Sequence, residues 1–174
     1  MTIEDVKKEI RDIQDFPSKG IVFKDLTTVF KNAQYIQFLS DMLYNQYKDY
    51  GITKVIGIES RGFIMGAILS EKLNAGFIPV RKKGKLPAES YEMEYQLEYG
   101  SAIIEMHKDA LDENDVVLIH DDLLATGGTL AASISLVKIL GVKKIYCNTI
   151  VELTALHGRK LIESDVEFIS LIKY

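Results

Sequence analysis

The residues of this chain best placed to do chemistry lie in one run, Val116-Val-Leu-Ile-His-Asp-Asp-Leu-Leu-Ala-Thr-Gly-Gly-Thr129. An apolar stretch leads into two adjacent acids, Asp121 and Asp122. A turn of small residues follows: Ala125, Thr126, Gly127, Gly128 and Thr129. Beyond it, Leu130, Ile134, Val137 and Leu140 fall at helical spacing. A small-residue turn at a helix start presents unpaired backbone N–H groups and the positive end of the helix dipole, which suits a phosphate. Gly127 and Gly128 let the backbone approach a ligand without Cβ interference, and the hydroxyls of Thr126 and Thr129 add donors. The acids would repel that phosphate if they pointed at it. They fit a sugar's hydroxyls, directly or through Mg2+, which takes oxygen ligands and keeps several waters. A phosphate at one end and a diol at the other describe a ribose 5-phosphate. The rival account is a strand–turn–helix whose Asp pair only caps the helix.

A second cluster carries the opposite charge. Arg81, Lys82, Lys83 and Lys85 fall within five positions, a local anion site in a chain of net charge -4 with 21 basic and 25 acidic residues. That balance argues against a nucleic-acid partner, whose footprint would be basic. Lys82 and Lys83 also read as solvated loop charges, whereas Arg81 abuts a strand. Neither standard nucleotide motif competes, since the chain has no G-x-G and its only Gly-Lys, Gly84-Lys85, is followed by leucine. Three scattered histidines and one cysteine point to no zinc or iron site. His107 and His157 lie in polar surroundings and are expected at the surface. His120 ends an apolar run and is expected to be a hydrogen-bonded structural histidine beside the acids.

The elements that must position these groups are legible as alternating patterns. Short β-prone runs occur at Val55–Ile58, Phe77–Val80, Ala102–Met106, Val116–His120, Lys144–Val151 and Val166–Ile172. Helical runs separate several of them, Ile36, Leu39, Leu43 and Tyr47 forming another apolar stripe. Strands alternating with helices imply an α/β fold, a parallel sheet flanked by helices. At 174 residues and without repeat or linker, a single domain over 1–174 is expected. Residues 81–101 interrupt the alternation and read as a long polar excursion, either an active-site lid or a plain hairpin flap. Tyr91, Tyr95 and Tyr99 recur every four residues there, which fits one helix face or, better, a flap with paired tyrosines. The first 30 residues read as an irregular cap. No apolar run reaches the roughly 20 residues of a membrane span, and the charged start has no h-region, so neither a membrane partner nor a leader is expected. One cysteine, Cys147, allows no internal disulfide and fits a cytoplasmic setting.

The acid pair followed by A-T-G-G-T resembles the phosphoribosyl pyrophosphate (PRPP) signature of the type I phosphoribosyltransferases. The resemblance covers nearly the whole chain and narrows to the adenine phosphoribosyltransferase family. Arg11–Pro17 and Gly20–Asp25 resemble that family's purine-side hood, and Glu59-Ser-Arg-Gly-Phe63 its pyrophosphate loop. Arg81–Pro87 and Tyr95–Gly100 resemble the two ends of its flexible catalytic loop, and Val151–Arg159 its C-terminal pocket segment. Two positions depart from the pattern: His120 where an apolar residue is usual, and Ser18-Lys19-Gly20 where a second proline is common.

What the resemblance implies is a purine-salvage glycosyltransferase. It would move the 5-phosphoribosyl group from PRPP to adenine, giving AMP and pyrophosphate, with Mg2+ carried by PRPP near Asp121 and Asp122 and with no direct protein metal site. Ala125, Thr126, Gly127, Gly128 and Thr129 would hold the 5-phosphate, and Asp121 and Asp122 the ribose. Ser60, Arg61, Arg81, Lys82 and Lys85 would take pyrophosphate. Glu98, with Tyr99 and Arg61, would serve catalysis. Val22, Phe23, Lys24 and Leu153 would line the adenine site, Phe23 and Leu153 as walls unless they are ordinary core residues. The hood would come from about 1–30 and 151–174, the flexible loop from about 82–100, and two copies would pair. A phosphoribosyltransferase for hypoxanthine, guanine or xanthine, or a non-catalytic PRPP or purine sensor, are the rival functions.

Overall fold

The computed structural model describes residues 1–96 and 100–174. They form two compact units, Met1–Leu43 and Tyr44–Tyr174. The first holds helix α1 (Ile3–Glu9), an antiparallel pair β1 (Arg11–Gln14) and β2 (Val22–Asp25), the short α2 (Thr27–Phe30) and most of α3 (Ala33–Tyr47). Its α1 starts with a capping box, in which the Thr2 hydroxyl accepts from the Asp5 N–H and the Asp5 carboxylate accepts from the Thr2 N–H. Arg11 donates from Nε and Nη2 to Asp25, tying the two strands together. Burial alone would raise the Asp25 pKa, but that pairing and the Thr27 bonds bring it down to about 2.

The second unit is a mixed sheet with flanking helices. In chain order it runs β3 (Lys54–Ile58), α4 (Gly62–Lys72), β4 (Gly76–Lys82), β5 (Ser90–Gln96), β6 (Ser101–His107), β7 (Val116–Leu124), α5 (Gly128–Ile139), β8 (Lys144–Glu152) and β9 (Glu167–Lys173). Among the described residues the strand order is β5-β6-β4-β3-β7-β8-β9, parallel from β4 through β9 and extended antiparallel by β6 and β5. The expected parallel core with flanking helices is present, and every β-prone run of the sequence is a strand. The parallel strands carry near-continuous apolar runs because both faces are covered, with Val55, Ile56, Val117, Leu118, Ile119, Ile150 and Val151 buried.

The topology selects the place for a ligand. The path from β3 leads to β4 on one side, and the path from β7 leads to β8 on the other. A crevice therefore opens at the carboxyl ends of the adjacent strands β3 and β7, where open α/β sheets bind ligands.

The segment read as a loop over about 82–100 requires a correction. Residues 90–96 form a regular strand, paired antiparallel with β6 from Ser90↔His107 to Gln96↔Ser101. The cause is a period of two. Tyr91, Met93 and Tyr95 turn toward the apolar core while Glu92, Glu94 and Gln96 face outward. The spacing of Tyr91 and Tyr95 is two strand periods, in keeping with the flap reading of the tyrosines. No described helix is long and apolar enough to cross a membrane.

Candidate active site

Two strand ends and two helix starts meet at the crevice. Strand β7 continues through both acids to Leu124, two turns of the pleat beyond the apolar run. The two acids stand close together, their carboxyls near enough to interact with each other. Asp121 is half-buried and turns along the strand, its Oδ1 accepting from the Asp122 N–H at 2.8 Å. Asp122 is buried, with its Oδ2 2.9 Å from Arg61 Nε. Asp122 is the partner of Arg61, and Asp121 lies beside the start of α4. Burial raises both carboxyl pKa values. The neighbouring Asp122 charge pushes Asp121 further up, and Arg61 opposes the rise at Asp122.

The turn after β7 is locked by close backbone contacts. Gly127 sits at φ +88°, and a Cβ there would lie 2.3 Å from the Gly158 carbonyl oxygen. A Cβ on Gly158 would in turn lie 2.2 Å from the Ala125 carbonyl oxygen. Only glycine fits either position. Gly128 begins α5 with no side-chain cap, and α4 likewise starts after Arg61 without one, in contrast to the capped α1. These uncapped starts leave backbone donors for a ligand. Gly62, at the head of α4, presses on β7 so closely that a Cβ would lie 2.8 Å from the His120 carbonyl oxygen and 3.0 Å from Asp121 Oδ1.

Two adjoining hollows result. One, of about 70 Å3, is lined by Asp121, Leu123–Leu130 and Thr149, and so contains the whole Ala125–Thr129 turn. The other, of about 250 Å3, is lined by Glu59, Arg81, Lys82, Tyr95, Asp121 and Thr129 among others. Asp121 and Thr129 belong to both. One end thus offers backbone donors, the other offers cations, and a single carboxylate stands between them.

The chain matches the phosphoribosyl transferase domain family over residues 25–173. The adenine phosphoribosyltransferase of Bacteroides fragilis is 59% identical over 165 residues, spanning 95% of this chain and 93% of its own. This chain belongs to the adenine phosphoribosyltransferase family. The solved adenine phosphoribosyltransferase of Rhodothermus marinus superposes with a TM-score of 0.94 at 46% identity, covering 99% of this chain and 98% of that one. The Giardia lamblia enzyme, solved with 9-deazaadenine, does so at 0.93 and 43% identity, covering 100% and 98%.

Not every residue singled out in the sequence joins the hollows of this adenine phosphoribosyltransferase fold. Ser60 is exposed between Glu59 and α4. Arg61 is drawn to Asp122. Lys82 is exposed with its N–H donating to Glu59 Oε2 at 3.0 Å, while Arg81 Nη2 donates to Glu59 Oε1 at 3.3 Å. Lys85 is exposed on the β4–β5 turn. Lys83 pairs with Glu92 at 2.7 Å, the solvated-charge reading. Val22, Phe23 and Lys24 form β2 in the first unit, where Phe16 packs edge-on against Phe23 at 5.1 Å and Lys24 pairs with Asp12 at 2.6 Å. Leu153, in the second unit, is half-buried with its N–H donating to the Leu124 carbonyl at 2.9 Å. Neither Phe23 nor Leu153 is a fully buried core residue. Glu98 and Tyr99 lie outside the described residues.

His120 is the structural histidine expected, fully buried with Nδ1 2.5 Å from Asn148 Oδ1, and burial brings its pKa down to about 4. His157 is exposed and His107 half-buried. Three acids escaped the sequence reading, Glu59, Glu105 and Glu152. Glu152 is buried, accepts from Arg159 Nε at 2.9 Å, Arg159 Nη2 at 2.6 Å and Ser170 Oγ at 2.6 Å, and so anchors the segment that brings Gly158 against the turn. The one available signal was an acid within an otherwise apolar strand, where a buried charge demands partners.

Proposed function

We infer that this chain transfers the 5-phosphoribosyl group of PRPP to adenine, releasing AMP and pyrophosphate, and so salvages purine. The observation that carries the reading is the pair of hollows sharing Asp121 and Thr129. PRPP has a phosphate at one end of its ribose and pyrophosphate at the other. The backbone turn Ala125–Thr129 takes the 5-phosphate, Asp121 and Asp122 serve the ribose hydroxyls, and Arg81 and Lys82, with Ser60, Arg61 and Lys85, serve the pyrophosphate end. Base choice rests on the family and on the Giardia relative solved with 9-deazaadenine. Val22, Phe23, Lys24 and Leu153 are assigned to adenine on the same ground, and a single phosphoribosyltransferase domain over 1–174, with its hood drawn from about 1–30 and 151–174, follows the resemblance.

In the reaction the adenine N9 lone pair forms the N9–C1′ bond as the C1′–O bond to pyrophosphate breaks. The leaving electron pair goes to pyrophosphate oxygen, where Arg81 and Lys82 neutralise it. Positive charge grows on the ribose ring during this exchange, as in glycoside hydrolysis, and the Asp121 carboxylate stabilises it. The N9 proton passes to Glu98, with Tyr99 beside it. That choice follows the resemblance, a positioned carboxylate being suited to take the proton. The described residues contain no cluster of three metal-ligating side chains. Asp121 and Asp122 would suit Mg2+ carried by PRPP, because that ion uses one or two carboxylates plus substrate phosphates. When bound, Mg2+ neutralises pyrophosphate charge. Pairing of two copies follows the resemblance, and Ile64 and Phe77 expose apolar side chains on α4 and β4. The buried free thiol of Cys147 suits the reducing cytoplasm.

Pyrophosphate release, measured with PRPP and Mg2+ and each base in turn, tests the function. Release with adenine and its loss in EDTA is the expected result. Release with hypoxanthine, guanine or xanthine instead would overturn the base assignment, and PRPP binding without release from any base would make the protein a sensor.

A further inference from the structure

We propose that Glu105 is the positioning residue of the pyrophosphate end, holding the β4–β5 turn so that Arg81 and Lys85 face the leaving group. The proposal rests on the assignment of those cations to pyrophosphate. Glu105 lies on β6 outside both hollows, and only 4% of its surface is exposed. Its Oε1 accepts from the Lys85 and Leu86 N–H groups, each at 2.7 Å, and its Oε2 from Ser90 Oγ at 3.4 Å. Burial alone would raise its pKa, but the N–H groups of Leu86, Lys85 and Gly84 and the Ser90 hydroxyl hold it below the usual carboxylate value. It is therefore an anion wrapped by a turn.

That turn reaches the cations directly. The Lys85 carbonyl accepts from Arg81 Nη1 at 3.0 Å, and the other guanidinium branch, Nη2, meets Glu59. Arg81 is thus held from two sides, by Glu59 and by a carbonyl whose own peptide is fixed by Glu105. Glu105 stands opposite Glu92 in the β5–β6 register, and Glu92 is drawn off by Lys83, which leaves the Glu105 carboxylate to the turn.

The test compares binding of free pyrophosphate and of AMP to the intact protein, because AMP carries the 5-phosphate and base but makes no use of the cation end. Glu105→Ala is expected to weaken pyrophosphate about tenfold, the scale of one charge-assisted hydrogen bond, and to leave AMP within about twofold. Glu105→Gln, which keeps an acceptor oxygen, should bring pyrophosphate back to within about threefold of the wild type. If Glu105→Ala does not fold, Glu105→Asp, which keeps the charge but withdraws it from the turn by one methylene, carries the test through a fall for pyrophosphate with AMP unchanged. A parallel fall for both ligands, or no change for either, overturns the proposal. Arg81→Ala separates the two layers. If it leaves pyrophosphate affinity intact, the pyrophosphate assignment fails and Glu105 with it; if it weakens pyrophosphate while Glu105→Ala does not, only the Glu105 proposal fails.

Discussion

At one end of the crevice the lining is backbone, the Ala125–Thr129 turn at the uncapped start of α5. At the other end it is charged side chains, Arg81 and Lys82, braced by the carboxylates of Glu59 and Glu105. The first depends on shape, since Gly127 and Gly158 approach so closely that neither tolerates a Cβ. The second depends on charge, because a guanidinium on a flexible stem points usefully only when acceptors hold it. A backbone cradle should fail when volume is added and resist salt. A side-chain clamp should fail when charge is removed and weaken with salt.

The largest effect expected from this contrast follows Gly127→Ala. A Cβ at 2.3 Å from a backbone oxygen, at φ +88°, forces the turn open. We expect PRPP binding to fall by about a hundredfold or more and stability by about 2–4 kcal/mol, as for other strained backbone sites. Titration of PRPP and a thermal melt would check both, and near-wild-type behaviour would end the shape argument.

Next comes Asp121→Asn, which separates function from stability. It should lower kcat/KM for PRPP about a hundredfold by removing the charge facing the ribose. It should also stabilise the free protein by about 1 kcal/mol at neutral pH, because a half-buried carboxylate beside Asp122 is disfavoured in the fold. A carboxyl whose folded pKa is raised binds its proton in the native state first, so native stability rises as pH falls through that pKa. The advantage of the Asn variant should therefore shrink on acidification and be gone below the usual carboxylate pKa of about 4. Denaturant midpoints across pH would show it, and a variant less stable than wild type at pH 7 would contradict it.

A smaller change is expected for Arg81→Ala, about tenfold in the KM for PRPP. Raising the ionic strength should weaken pyrophosphate more than AMP, since exposed charges are screened and a backbone cradle less so. Equal salt slopes for the two ligands would erase the distinction between the ends. The smallest effect belongs to Thr126→Ala. Thr126 is exposed on the turn, and loss of one neutral donor should cost PRPP affinity about threefold to tenfold, with the melt unchanged.

The legibility of these regions in the sequence differs in the same way. The Asp121–Thr129 run announced itself because its residue types are unusual together and adjacent in the chain. What could not be read was that Asp122 would pair with Arg61, at the start of a helix about 60 residues away in the chain. The flap was visible in the recurring tyrosines, and the strand in it shows as Tyr91, Met93 and Tyr95 alternating with polar residues. Glu105 and Gly158 were beyond reach for another reason. Their partners are at Lys85–Leu86 and Ala125–Gly127, about 20 to 30 residues away, and nothing local marks the pairing.

By itself the sequence determined the α/β class, the strand runs, the small-residue turn before α5 and the family, because periodicity, glycine placement and motif order are properties of neighbours along a chain. The tertiary structure alone decided that β3 and β7 would lie side by side with their continuations running in opposite directions. It also decided that Asp121 would be shared by two hollows while Asp122 turned to Arg61. Those outcomes depend on which buried surfaces pack together, and close packing is settled by the whole core at once.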